Sequence, residues 1–342
     1  EREKDRHRLR ITMEAQMKKL RIGVVGVGYL GKFHAQKYFH MPDVDLIGVV
    51  DTDADRGQRI ARENETIHYM SHRSLFGKVD AVSIAAPTPV HYSIAKAFLE
   101  QGVDVLIEKP MTSLLDDANE LIRIAEEKGL IIQVGHLERY NSAVVALRSI
   151  VKKPLFIESH RLSIYKDRAT DVSVVLDLMI HDIDIISNFV RSELTSIRAA
   201  GIPVITGQAD IANARLEFAN GCVANVTASR ISMKNERKIR LFQKDAYISV
   251  DFANHGITLV RQNEKIQDGL IPGMEIKQLH FDKGDALDDE LKSFVQSVKR
   301  REAPEVNGHV GRDALKIALN VMEQINSSNR RILNSLSNDS ES

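Results

Sequence analysis

Between residues 19 and 134 the chain alternates short apolar runs with stretches of helical spacing. The runs at 21–25, 45–50, 81–85, 103–107 and 130–134 are brief and rich in β-branched residues, as Ile22-Gly23-Val24-Val25 illustrates. Runs of that kind predict strands buried on both faces. Between the last two, residues 114–128 put Leu121, Ile124 and Ala125 on one face of a helix. Ser113 with Asp116 predicts a capping box at its start, and Gly129 a stop after it. Strands alternating with helices predict a parallel sheet with right-handed crossovers.

Beyond Gly135 the pattern changes. Residues 155–164 alternate like a strand, and 174–190 read as an apolar-rich helix. The runs 212–218 and 222–229 meet at Asn220-Gly221, a strong hairpin signal. The runs 237–242 and 246–252 meet near Lys244-Asp245 and predict a second hairpin. The expected fold is therefore an α/β, doubly wound parallel domain followed by an α+β domain with a largely antiparallel, open-faced mixed sheet. The boundaries expected are a flexible extension at 1–17, a nucleotide-binding domain at 18–135, an α+β domain at 136–333 and a disordered tail at 334–342. A late helix, about 310–325, can cap either domain. With no Pro/Gly-rich linker between them, the two domains are expected to pack around a shared cleft.

Composition narrows the function classes. A chain of 342 residues suits two domains, and 43% hydrophobic with 27% charged residues describes a folded, soluble protein. Lys+Arg and Asp+Glu are both 47, so no global basic field favours nucleic acid or a membrane surface, and an anionic substrate needs local cations. The single cysteine, Cys222, excludes a disulfide framework or cysteine-built zinc site within one chain and points to a reducing compartment, the cytoplasm. No apolar run approaches the roughly 20 residues of a membrane span. Residues 1–16 lack the apolar core of a secretory signal, and Met13 and Met17 are both plausible starts.

Chemistry enters at Gly26-Val27-Gly28-Tyr29-Leu30-Gly31, which follows the first predicted strand and opens a helix. In that context Gly26 permits a tight turn, Gly28 lets backbone approach a pyrophosphate, and Gly31 allows close helix–strand packing. Asp51, at the end of the second strand, is placed for the adenosine ribose hydroxyls, so NAD is expected over NADP. Arg56 nearby keeps NADP open as the minority reading. The competing reading is a glycine-rich turn that binds nothing.

Lys109, in Glu108-Lys109-Pro110 after the strand at 103–107, stands where open parallel sheets bind ligands, and it can stabilise negative charge on a reacting oxygen. The apolar helix at 174–190 carries Asp177, His181, Asp184 and Asn188 at i, i+4, i+7 and i+11, one narrow stripe. Histidine suits removal of an alcohol proton near neutral pH, and Asp177 can orient it. A buried network serving only the fold is the alternative, and Asp184 and Asn188 fit that supporting role. A metal held by Asp177, His181 and Asp184 finds no further ligand cluster, so no metal is expected. Arg161 and Tyr165 are candidates for phosphate or sugar contacts.

Taken in order, Gly26–Gly31, Glu108-Lys109-Pro110 and Asp177-x-x-x-His181 resemble the glucose–fructose oxidoreductase/inositol dehydrogenase (Gfo/Idh/MocA) family, over nearly everything from Lys19 to Ile325. Pro87-Thr88-Pro89-Val90-His91 resembles that family's cofactor-edge motif. The resemblance implies cofactor contacts from Ala86, Pro87, His91, Glu108 and Lys109, and implies that Lys109, Asp177 and His181 meet at the nicotinamide. It also implies a sugar or UDP-sugar substrate and a homodimer or homotetramer formed through the open sheet. The family commonly approaches its DxxxH helix through a glycine-rich loop, whereas this chain has Thr170-Asp171-Val172-Ser173-Val174-Val175, which shifts expectation away from free sugars and inositols. Residues 135–141 and 174–184 resemble a nucleotide-sugar branch that oxidises C3 of UDP-N-acetylglucosamine for transamination in lipid A synthesis. A redox-neutral glycosidase that retains its NAD and a non-catalytic NAD sensor are the rival readings.

Overall fold

The computed structural model describes residues 19–165, 172–263, 265, 271–281 and 284–339, with side chains described as far as 330. The expected extension at 1–17 and the Thr170-Asp171 part of the approach to the DxxxH helix lie outside the described residues. Two compact units divide the chain. One runs to His136 and takes in Leu287–Arg312, and the other comprises Leu137–Ala286 with the residues from Asp313.

The first unit opens β1 (Leu20–Val25), α1 (Gly31–His40), β2 (Val44–Val50), α2 (Ala54–Glu63) and a two-residue β3 (His68–Tyr69). It continues with β4 (Ala81–Ile84), α3 (His91–Glu100), β5 (Asp104–Glu108), α4 (Leu115–Lys128) and β6 (Ile132–Gly135). The strands form one sheet in the order β3-β2-β1-β4-β5-β6, and every pair is parallel. Chain order reverses at β1 and β4, which puts the loops after those strands at a topological switch point, the place where such sheets bind ligands. β4, β5 and β6 are buried along their whole length, as strands covered on both faces must be. The start of α4 departs from expectation: its N-cap is Leu114 in extended conformation, without a side-chain bond, so Ser113 and Asp116 form no capping box. The hydroxyl of Thr112 instead donates to the Leu114 carbonyl at 2.7 Å, and the helix stops at Gly129.

The second unit begins with α5 (Ser142–Ile150) and β7 (Pro154–Leu162). A π-helical turn, Val175–Met179, runs directly into α6 (Ile180–Val190). Then follow β8 (Leu194–Ile202), β9 (Ile211–Phe218), β10 (Val223–Ser229), β11 (Glu236–Gln243), β12 (Ala246–Asp251), β13 (Gly256–Gln262) and β14 (Met274–His280). Their order is β14-β13-β12-β11-β7-β10-β9-β8, antiparallel except where β7 meets β10. Strict alternation assigns the faces. Along β9, Ala212, Ala214, Leu216 and Phe218 are buried while the residues between them are not. They join Ile157, Val226, Ile239, Leu241 and Ile248 from neighbouring strands in one core with Leu147, Ile183 and Ile186 of the helices. The opposite face carries a ring cluster, Phe156 against Phe242 at 5.7 Å and Phe242 against Tyr247 at 5.0 Å.

The last helices are α7 (Ala286–Arg300) and α8 (Gly308–Asp339). Apart from its first residue, α7 groups with the first unit, and α8 changes unit after Arg312. Helix α8 runs well past residue 325 and through most of the stretch from 334 that composition marks as disordered. Among the described residues no helix is long and apolar enough to cross a membrane.

Candidate functional site

Two glycines shape the loop after β1. Gly26 has φ +83, and a Cβ there would stand 2.6 Å from the backbone nitrogen of Ala86, in the loop after β4. A Cβ on Gly31 would stand 1.8 Å from the Gly26 carbonyl oxygen. Only glycine permits so close a crossing of backbone. At Gly28 an added Cβ would meet nothing within 4 Å, so the backbone there is open to approach. Tyr29 is exposed, Val27 is buried, and Leu30 is the N-cap of α1, whose first turn carries no acid. An open glycine backbone at a helix N-terminus fits a dinucleotide pyrophosphate. Gly31→Ala is therefore expected to weaken NAD binding by about tenfold or more, the equivalent of the strain its backbone must absorb. Calorimetric titration with NAD checks this, and an unchanged Kd counts against the loop as the pyrophosphate seat.

At the end of β2, Asp51 is 6% exposed. Its carboxylate accepts the N–H of Val27 at 3.0 Å and of Asp53 at 2.9 Å. It also takes a two-pronged contact from Arg56, Nε to Oδ2 at 3.0 Å and Nη2 to Oδ1 at 2.8 Å. Burial pulls this carboxyl upward, but Arg56 and the two N–H groups outweigh it and hold it below the usual range.

Ala86 and Pro87 lie in the loop after β4, half-buried and exposed respectively. His91 lies beneath them at 1% exposure. Its Nε2 is 2.7 Å from the Ala86 carbonyl and its Nδ1 is 3.0 Å from the Pro110 carbonyl. Both ring nitrogens therefore face backbone carbonyls, one in the loop after β4 and one in the loop after β5. Burial pushes this imidazole below its ordinary range, against the pull of the two carbonyls.

Glu108 also points inward. Its Oε1 is 3.1 Å from Nε2 of the buried His34, whose Nδ1 is 2.7 Å from Ser83 Oγ, and its Oε2 accepts the Lys109 N–H at 3.3 Å. Lys109 itself is half-buried, and its peptide bond to Pro110 is cis. Glu290 of α7 is fully buried, and neither of its carboxyl oxygens meets a hydrogen-bond partner among the described residues. Burial, then the charge of Glu108, pushes Glu290 well above the glutamate range, so it stays a neutral acid. Below the ordinary value near 4.5 it is protonated in both folded and unfolded chains and costs nothing. As pH rises past that value the unfolded chain releases the proton first, and folding loses stability until the folded group also ionises. Glu290→Gln is expected to be more stable than the parent at pH 8, with the gap closing at pH 4. Urea midpoints at the two values check this, and a gap independent of pH excludes the buried acid as its cause.

In the second unit, residues 174–190 do not form the single α-helical stripe that their spacing predicts. Asp177 sits in the π-helical turn, a feature frequent at functional sites. His181 sits in the first turn of α6, and both residues are half-buried. Asp184 leaves the group: it is buried against Arg139, Nε to Oδ2 at 2.6 Å and Nη2 to Oδ1 at 3.1 Å. Asn188 is half-buried one turn further along. Arg161, 3% exposed, donates Nε and Nη2 to the two oxygens of Asp182 at 2.8 and 3.0 Å, and Nη1 to Glu138 at 2.8 Å. Its charge is therefore matched from within the protein by two carboxylates. Tyr165 lies partly exposed just beyond β7.

Asp177 borders a cleft of about 280 Å³, with Arg161, Ser163, Arg230, Asn235 and Arg237 also on its wall. Arg230 is buried and donates to the Val172 carbonyl at 2.6 Å. Arg237 is more exposed, with a loose 3.8 Å contact to Glu138. Sequence reasoning does not single out Arg139, Asp182, Glu138, Arg230 or Arg237. For Asp182 a signal exists: a charge inside an apolar stretch must find a partner, because unpaired burial is costly.

Comparison with known proteins agrees with this anatomy. Residues 20–136 match the model of an oxidoreductase family with an NAD-binding Rossmann fold, and residues 143–249 match the GFO/IDH/MocA C-terminal domain. A UDP-N-acetylglucosamine 3-dehydrogenase of Acidithiobacillus ferrooxidans is 37% identical over 303 residues, 88% of this chain and 96% of its own length. A solved structure of an enzyme so named from that organism superposes with a TM-score of 0.85 at 36% identity, covering 91% of this chain and 99% of that one. A myo-inositol 2-dehydrogenase of Thermotoga maritima is 26% identical over 318 residues, 86% of this chain and 93% of its own. With both halves matched in order, the chain belongs to the Gfo/Idh/MocA family of NAD-binding oxidoreductases.

Proposed function

We propose that the protein oxidises a secondary hydroxyl of a nucleotide sugar to a ketone, at C3 of UDP-N-acetylglucosamine, with Lys109, Asp177 and His181 carrying the chemistry. The observation that supports this most is the 37% identity to a 3-dehydrogenase of that substrate along almost the whole of both chains. NAD, when bound, supplies the hydride acceptor. His181 takes the hydroxyl proton as the carbon loses its hydride. Lys109 donates a hydrogen bond to the same oxygen while it becomes a carbonyl, and Asp177 orients the imidazole. The cleft beside Asp177 carries Arg230, Asn235 and Arg237 on its wall, groups that suit a sugar bearing an anionic group.

The test is NADH formation with UDP-N-acetylglucosamine, other UDP-sugars, free sugars and inositols. Turnover confined to UDP-N-acetylglucosamine, with a 3-keto product, supports the proposal. Preference for inositol overturns the substrate. Full NAD occupancy without net NADH release marks a redox-neutral glycosidase, and binding without turnover marks a sensor. We further infer a homodimer or homotetramer built on the outer face of the eight-stranded sheet, where Phe156, Phe242 and Tyr247 gather. A monomer in sedimentation at micromolar concentration excludes it.

A further inference from the structure

The acid expected to hold the adenosine ribose is already occupied. Both oxygens of Asp51 are engaged twice, once each by a backbone N–H and once each by Arg56. A carboxylate has about four acceptor positions, so ribose hydroxyls gain full access to Asp51 only when Arg56 moves. The backbone donors cannot leave. Val27 belongs to the glycine loop, and Asp53 caps α2 by accepting the Arg56 N–H at 3.0 Å. The Arg56 side chain can leave, because it is 39% exposed and, among the described residues, held at its outer end by carboxylates alone, with Nη1 3.4 Å from Asp53.

We propose that Arg56 is a movable counter-ion at the adenosine end of the cofactor site, and that it lets this protein bind the 2′-phosphorylated dinucleotide as well as NAD. Without Arg56, Asp51 and Asp53 would present two bare carboxylates to a 2′-phosphate, which like charge would reject. With it, the trio carries a single net negative charge, and the guanidinium can turn outward to form a forked pair with phosphate. Turned inward, it keeps the buried Asp51 ionised and correctly aimed until ribose hydroxyls arrive. NAD then competes with a displaceable side chain, and NADP recruits that same side chain.

Calorimetric Kd values for NAD and NADP, measured at two salt concentrations, test this on the parent, Arg56→Leu, Arg56→Lys and Asp51→Asn. In the parent, NADP is expected to bind measurably, if more weakly than NAD. Arg56→Leu is expected to weaken NADP by about tenfold or more, the worth of a charge-assisted hydrogen bond, and NAD by a clearly smaller factor. Arg56→Lys is expected to recover part of the NADP binding, and Asp51→Asn to weaken NAD more than NADP. In the parent, added salt is expected to reduce NADP affinity more than NAD affinity, a difference that Arg56→Leu removes. Equal weakening of both cofactors in Arg56→Leu overturns the proposal by showing a purely structural contact. Absence of NADP binding in the parent overturns it as well.

Discussion

Replacing His181 with alanine is expected to lower turnover about 10²–10⁴-fold, the worth of a positioned general base, while the Kd for NAD stays at the parent value. Imidazole is the side chain best suited to taking up a proton near neutral pH. His181 also sits one turn beyond Asp177, which borders the cleft. The glycine loop and Asp51 belong to the other unit and do not depend on His181, which is why binding and turnover should separate. Lys109→Met is expected to fall by a similar factor, since it removes the cation that steadies the developing oxygen charge. If the two groups act on one hydroxyl, the double variant should fall by much less than the product of the single effects. Stopped-flow NADH formation with calorimetry on the same samples makes the comparison. Parental turnover in His181→Ala removes the residue from the chemistry.

The parallel half was legible because β1, β4, β5 and β6 are almost wholly buried and read as short, largely apolar runs. The five longer strands of the first sheet all coincide with such runs, whereas β3 is two half-buried residues and leaves no periodic signal. In the second unit the hairpins at Asn220-Gly221 and Lys244-Asp245 follow from turn chemistry and alternation. The edge strands β8 and β14 carry few buried positions, so hydrophobic spacing says little about them. Helix α7 shows Leu287, Leu291, Phe294, Val295 and Val298 at helical spacing. Its return to the first unit is a tertiary fact that no local period encodes.

The site was legible in the same uneven way. Gly26, Gly31 and Asp51 follow from a strand–turn–helix motif whose geometry leaves few options. The Asp177–Asn188 stripe assumed 3.6 residues per turn from end to end. The π-helical turn at Val175–Met179 breaks that period, and Asp184 turns to Arg139 instead of the cleft. A local break of this kind changes which side chains share a face without changing composition. His91 illustrates a second limit: the motif names the residue but not that its two ring nitrogens face the carbonyls of Ala86 and Pro110.

Arg161→Met is expected to destabilise the second unit by about 3–5 kcal/mol, because it leaves Asp182 and Glu138 buried without their shared cation. Arg161 links β7 to α6 through Asp182, and to the turn before α5 through Glu138. Against a typical total stability of about 5–15 kcal/mol, that loss approaches unfolding. Adding Asp182→Leu should recover much of it, since a buried pair replaced by apolar residues is often neutral, and Glu138 retains Arg237 nearby. The dependence on pH has a definite sign. Burial raises the Glu138 carboxyl, but Arg161 and Arg237 outweigh it and hold it below its ordinary value near 4.5. A carboxylate lowered in this way stabilises the fold above that value, and the contribution fades as pH drops through the folded one. The gap between parent and Arg161→Met should therefore be widest near neutral pH and narrow as pH falls through the range where Glu138, left buried without Arg161, takes up a proton ahead of the parent. Urea unfolding of both proteins at pH 7 and pH 4 measures the two gaps. A constant gap would assign the cost of the substitution to lost packing of the arginine stem, and the carboxylates would then have to be solvated in the variant.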